Sequence, residues 1–126
     1  MIPTEYVAHI KTRLVTSEQV FSFEIVEEWA QPDRGYVRIR MHLTNGDFLE
    51  TAEYFVLSGE TCLPERYRYQ WMDRTQQRMY KRWDNVSHYP DLPSFPHHVH
   101  FHDGRVEPGE RLSTMDLLDR LSELKL

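Results

Sequence analysis

Residues 36–57 read YVRIRMHLTNGDFLETAEYFVL. Asn45-Gly46 at their centre is the strongest short-range hairpin signal, normally a type I′ turn. Tyr36–Thr44 and Asp47–Leu57 flank it as strands. If Thr44 faces Asp47, then Ile39 faces Ala52, Val37 faces Tyr54 and Arg38 faces Glu53. That register turns an apolar set inward and an Arg–Glu ion pair outward, so each face is internally consistent.

Upstream, Phe21, Phe23 and Ile25 alternate with Ser22, Glu24 and Val26, which predicts a half-buried strand ending near Trp29. Residues 31–35 (QPDRG) are a turn by composition. Further back, Tyr6, Ile10 and Leu14 recur four apart behind Thr4 as N-cap, predicting a short helix over 4–16. Downstream, Ser58–Pro64 reads as a loop. Arg66–Met72 and Gln77–Asp84 then form a second hairpin, with Tyr69 opposite Tyr80 and Tyr67 opposite Arg82. One of its faces carries Tyr67, Tyr69, Arg82 and Asp84; the other carries Arg66, Arg68, Lys81 and Trp83. Neither is cleanly apolar, so one is a working surface rather than core.

Pro90, Pro93 and Pro96 recur every third residue, favouring a polyproline II covering loop, and His97–His102 reads as a short strand. Ser113 caps a last helix over 114–125, with Met115, Leu118, Leu121 and Leu124 along one side. Asp116 and Lys125 at its two ends suit the helix dipole. The expected fold is α+β. An antiparallel meander sheet of five or six strands is covered on one face by the C-terminal helix and a short N-terminal one, in a single domain over 1–126. The other face is left for function.

Composition narrows the function classes. The 126 residues are 40% hydrophobic and 13% aromatic, which suits a folded domain, and no apolar run approaches a membrane span. The N-terminus (MIPTEYVAHI) lacks a signal peptide's basic start, so a cytoplasmic protein is expected. A single cysteine, Cys62, excludes an internal disulfide and a cysteine zinc cage. The net charge of −5 argues against indiscriminate nucleic-acid binding, yet the charge is uneven. Between Arg66 and Arg82 six basic residues stand against Asp73 alone, a local basic stretch suited to phosphate.

The chemistry concentrates in residues 82–102, RWDNVSHYPDLPSFPHHVHFH, which hold five of the seven histidines. On a strand His98, His100 and His102 share a face, with neighbours about 6.6 Å apart, while His97 points away with Val99. Nine steps of straight polyproline II would hold His88 about 28 Å from His97, so His88 joins the others only if the loop curls back.

Three chemistries fit. The first is metal-independent RNA cleavage. His98 and His100 move protons, Arg82 takes the phosphorane charge, Asp84 orients an imidazole, and His88 completes the catalytic set. Tyr67 and Tyr69 stack a base or donate to phosphate, and Arg68 and Asn85 are further substrate contacts. This chemistry needs no cofactor. The second is a metal-dependent hydrolase, with His98 and His100 gripping one ion and Asp84 or His88 completing the shell. The third is a non-enzymatic module whose tyrosines, tryptophans and arginines hold a protein partner. Asp84-Asn85 also fits a strand-ending turn whose side chains bond nearby backbone.

Tyr67-x-Tyr69, Arg82-x-Asp84-Asn85, His88 and Phe95-Pro96-His97-His98-x-His100 resemble the TumE family of toxins from prokaryotic toxin–antitoxin operons. The family pattern runs as a Tyr-x-Tyr strand, then Arg-Tyr-Asp-Asn-Ala-Pro-His, then Phe-Pro-His-His-Lys-His. Here Trp83 replaces the Tyr, Val86-Ser87 the Ala-Pro, and Val99 the Lys. The resemblance implies a small growth-inhibiting toxin held inactive by a DNA-binding helix-turn-helix antitoxin encoded beside it. It also fits an RNA target; the short apolar runs predict no membrane association, and a homodimer stays open.

Overall fold

A computed structural model describes residues 1–124. In chain order its elements are α1 (Pro3–Thr16), β1 (Val20–Ala30), β2 (Arg34–Leu43), β3 (Phe48–Ser58), β4 (Thr61–Met72), β5 (Met79–Asp84), β6 (His98–Phe101), β7 (Val106–Pro108) and α2 (Thr114–Asp119), followed by a 3-10 turn at Leu121–Glu123. The strands pair antiparallel in sequence order, a meander of seven rather than five or six. The unforeseen strand is β7, because Gly104 and Pro108 read as breakers. At the outer edge of a sheet the missing proline N–H has no ladder bond to forfeit. The expected loop at 58–64 shrinks to a turn at Gly59-Glu60, with Ser58 facing Thr61. Pro64 lies inside β4, where the β3–β4 ladder shifts register between Tyr54 and Phe55.

The central hairpin is offset by one residue from the predicted register. Leu43 N–H donates to the Asp47 carbonyl at 2.8 Å, and Gly46 N–H donates to the Leu43 carbonyl at 3.0 Å. Gly46 has φ +95, whereas Asn45 is not among the residues with positive φ, and a type I′ turn needs both. The result is a three-residue loop with glycine in the left-handed position. Asn45 Oδ1 accepts the Asp47 N–H at 2.9 Å, and Asp47 Oδ2 accepts Trp71 Nε1–H at 2.9 Å. Consequently Tyr36 faces Tyr54, Val37 faces Glu53 and Arg38 faces Ala52. Arg38 bonds Glu50 at 2.9 Å rather than Glu53. A one-residue slip exchanges the faces of a strand. Glu53 therefore turns inward and Tyr54 outward.

The second hairpin also departs from expectation, because its turn is longer. Asp73 Oδ1 accepts the N–H groups of Gln77 (3.0 Å) and Arg78 (2.9 Å), and Asp73 N–H donates to the Arg78 carbonyl. Tyr69 then faces Trp83, Gln70 faces Arg82 and Arg68 faces Asp84. Tyr67, Tyr69 and Trp71 are buried on one face, and Arg82 and Asp84 lie on the other.

Both helices cover the same face, as the amphipathic pattern requires. Ile10 and Leu14 of α1 and Leu117 and Leu118 of α2 join Val37, Ile39, Met41, Leu49, Phe55 and Tyr69 in one core. Pro3 occupies the first turn of α1 and Ile2, not Thr4, precedes it. The C-terminal helix ends at Asp119, short of the expected 125, because Arg120 leaves helical dihedrals and the chain tightens into the 3-10 turn that buries Leu121. Lys125 lies outside the described residues. No helix among the described residues is long and apolar enough to cross a membrane.

Gly35 shows how close that packing is. A Cβ there would meet Phe55 Cζ at 2.3 Å, and Phe55 is fully buried edge-on to Tyr6. Gly35→Ala is therefore expected to cost about 1–3 kcal/mol by overpacking. Urea melts should show Phe55→Leu recovering part of that loss in the double variant, as coupled neighbours do.

Candidate functional site

On the uncovered face, cross-strand pairing puts Arg82 opposite His100 and Asp84 opposite His98. The four side chains make one network. Asp84 Oδ1 lies 2.6 Å from His98 Nε2, and Asp84 Oδ2 accepts Arg82 Nε–H at 3.1 Å. Arg82 Nη2 lies 3.1 Å from His100 Nε2, and Asp84 Oδ2 lies 3.6 Å from that nitrogen. The backbone N–H of Val86 also donates to Asp84 Oδ1. Arg82, Asp84, His98 and His100 come together, but bonded to one another and with Asp84 and His98 buried, rather than around a solvent-open hollow.

Their burial divides them. Asp84 and His98 are each 2% exposed, while Arg82 and His100 are partly exposed. His98 Nδ1 points at the Pro96 carbonyl, 2.9 Å away, so both of its ring nitrogens face acceptors. His98 is thus enclosed and committed to its neighbours, which corrects its predicted role as a group that meets substrate. His100 differs. A guanidinium can only donate, so Arg82 holds the His100 Nε2 lone pair, and the proton sits on Nδ1. Burial, then the Arg82 charge, push the His100 pKa below the ordinary histidine value, with Asp84 opposing in part. The ring centroids of His98 and His100 are 4.8 Å apart, closer than strand spacing alone predicts, since the rings lean together edge to face.

The lid over this network is the 86–97 segment. It does not run as straight polyproline II. Backbone bonds from Leu92 to Tyr89, Phe95 to Leu92 and His97 to Ser94 fold it into successive turns. Tyr89 thereby packs edge-on against His98 (5.0 Å) and His100 (5.8 Å), and His88 lies against Tyr89 with centroids 6.5 Å apart. The segment therefore curls back far enough to return Tyr89 to the strand, with His88 exposed beside it.

The remaining predicted contacts fall elsewhere. Tyr69 is completely buried among the core, with its hydroxyl donating to the Leu112 carbonyl at 2.9 Å, and no ring face is left for a base. Tyr67 is 3% exposed and stacks on His97, with its hydroxyl 2.8 Å from His97 Nδ1. His97 thus points away from His98, as strand alternation requires. Asn85 accepts the Tyr67 N–H and donates to the Glu65 carbonyl, so its side chain closes the end of the β4–β5 pair. Arg68 stays on the open face opposite Asp84, bonded to Gln70 Oε1 at 3.1 Å.

A ligand atom from each of Asp84, His98 and His100 lies within 4.8 Å of the others, a set that fits a divalent cation in residue type. The Arg82 guanidinium already bonds two of the three, so a metal must displace a cation to enter. Sequence reading missed Tyr89, and also Tyr36 and Tyr54, which stand opposite each other on the open face. Reading Thr44-Asn45-Gly46 as a three-residue loop would have exposed that tyrosine pair.

Residues 10–125 match the family model described as Toxin TumE. No curated protein and no solved structure matches the chain.

Proposed function

The chain belongs to the TumE toxin family, and from that premise we propose that it inhibits growth by cutting RNA without a metal, with His100 and Arg82 as the groups that touch the scissile phosphate. The observation that carries this reading is the Arg82–His100 contact at 3.1 Å, which puts a neutral imidazole and a phosphate-binding fork side by side at the rim of a buried anchor. Arg82 turns its donors to the phosphate oxygens when substrate arrives, and that frees the lone pair of His100 Nε2. His100 takes the proton of the 2′-hydroxyl as that oxygen attacks phosphorus. The bond from phosphorus to the 5′-oxygen breaks, and His88 supplies the proton to the leaving oxygen. The products are a 2′,3′-cyclic phosphate and a 5′-hydroxyl. Asp84, itself held by His98, positions Arg82. A toxin of this family implies an antitoxin, and the helix-turn-helix kind is the form we propose.

Purified protein in EDTA should still cut single-stranded RNA, and His100→Ala should lose about 10²- to 10⁴-fold in rate while keeping its melting temperature. A base held below the usual histidine pKa stays unprotonated further into acid. The acid limb of kcat/KM is therefore expected below pH 6.5. Unchanged cutting in His100→Ala would sink the reading. A second reading, a metal-dependent hydrolase at Asp84, His98 and His100, has the three clustered donors in its favour. It predicts that chelator abolishes cutting and added zinc restores it. Binding of protein partners with no cutting under either condition would leave only the non-enzymatic reading.

A further inference from the structure

The corrected hairpin registers arrange the open face in rows across the strands. One row runs Trp29, Tyr36, Tyr54 and Arg66; the next runs Arg38, Ala52, Arg68 and Asp84; the third ends at Arg82 and His100. The first row is a contiguous aromatic strip. Trp29 and Tyr36 stack with centroids 6.4 Å apart, Trp29 meets Tyr54 edge-on at 6.2 Å, and the Arg66 guanidinium lies 5.5 Å from the Tyr54 ring. In the second row Ala52 contributes only a methyl group between two arginines. A hollow of about 380 Å³ opens above it, walled by Tyr36, Arg38, Glu50, Arg68 and Gln70, with Glu50 bonded to Arg38 at 2.9 Å. Arg66 and Arg68 have no carboxylate partner among the described residues.

We infer that this strip and hollow are the binding path for single-stranded RNA, leading unpaired bases toward Arg82 and His100. This inference rests on the RNA-cutting reading above and gives that site its substrate class. Charge complementarity chooses the occupant. From β2 to β5 the three rows present Arg38, Arg40, Arg66, Arg68 and Arg82 against Glu50 and Asp84, although the whole chain carries −5. The exposed Trp29 and the half-buried Tyr36 and Tyr54, flanked by arginine, can accept any base face and need that base unstacked, which a duplex does not offer. Four residues along a strand and two strands across separate Tyr54 from Arg82 by about 16 Å, a span of a few nucleotides. The acidic β1 edge, with Glu24 and Glu27, bounds the path on the far side.

The test uses an uncleavable 2′-O-methyl oligoribonucleotide and fluorescence anisotropy on the full chain, so binding is read apart from cutting. Tyr54→Ala is expected to weaken binding about tenfold or more. Arg68→Ala should weaken it and flatten the plot of log affinity against log salt by about 0.7. Ala52→Leu, which fills the hollow and removes no group, should weaken it as well, and a duplex of the same sequence should bind less tightly than the single strand. Affinities within about twofold of the wild type in all three folded variants would overturn the path, and so would equal binding of the duplex. An oligomer that binds as expected to a wild type that cuts no RNA would sink the catalytic reading and leave the path standing. Loss of antitoxin binding with RNA affinity unchanged would reassign the face to a protein and overturn the path.

Discussion

Asp84→Ala is expected to lower folding stability by about 3–5 kcal/mol, the usual cost of removing one partner from a buried ion pair, and to abolish RNA cutting. The carboxylate is buried and serves three donors: His98 Nε2, Arg82 Nε and the backbone N–H of Val86. Truncation leaves His98 enclosed with no acceptor at Nε2 and releases Arg82 from its place beside His100. Asp84→Asn should be much milder in urea melts. Its carbonyl oxygen still accepts from Arg82, and its amide can donate to His98 Nε2 once that ring carries its proton on Nδ1, where Pro96 accepts it. Cutting should nonetheless fall in Asp84→Asn, because Arg82 has lost the charge that aims it. Little loss of stability in Asp84→Ala would show that the carboxylate is not an anchor. Full cutting in Asp84→Asn would remove its positioning role.

Glu53 carries the second large effect, on the opposite face. It is fully buried. Its Oε1 accepts the Tyr6 hydroxyl at 2.8 Å and the Thr114 N–H at 2.9 Å, joining α1 and α2 to the middle of the sheet. Glu53→Ala leaves two buried donors without a partner, an expected loss of about 2–6 kcal/mol. Burial, the largest influence, raises the Glu53 pKa above the ordinary carboxylate value, and its hydrogen bonds from Thr114 and Tyr6 offset this only in part. A folded-state pKa above the unfolded one means the native protein binds the proton more tightly. This group's contribution is thus greatest below about pH 4.5 and declines as pH rises through that value toward the raised one. Glu53→Gln, which keeps an acceptor and cannot ionise, should gain stability relative to the wild type over the same rise. A difference between the two that stays flat with pH would show that Glu53 folds with an ordinary pKa.

The four residues proposed to make the site were legible because their signals are local. Arg82 and Asp84 alternate on one strand and His98 and His100 on another, and period-two alternation assigns each pair to one face without knowledge of any partner. Which face that is depends on pairing between strands, and there the reading failed at Tyr67 and Tyr69. They were expected beside Arg82, but they are core. The Asp73–Arg78 turn is longer than the four residues assumed, and each added residue moves the register. The same sensitivity hid Tyr36 and Tyr54. A type I′ turn and a three-residue loop both use Asn-Gly, yet they differ by one step and so exchange the faces of β3.

By itself, then, the amino-acid order determined the α+β class, the meander, the helix-covered face and the grouping of Arg82 and Asp84 with the imidazoles. Each follows from periodicity, turn chemistry or chain proximity. Only the tertiary structure decided that Glu53 is interior, that His98 is sealed under Tyr89 while His100 reaches the rim, and that an aromatic strip with an arginine-walled hollow lies beside them. Those outcomes depend on cross-strand register and on how a proline-rich segment folds over a sheet. Both are set by packing between residues far apart in the chain, which no local pattern encodes.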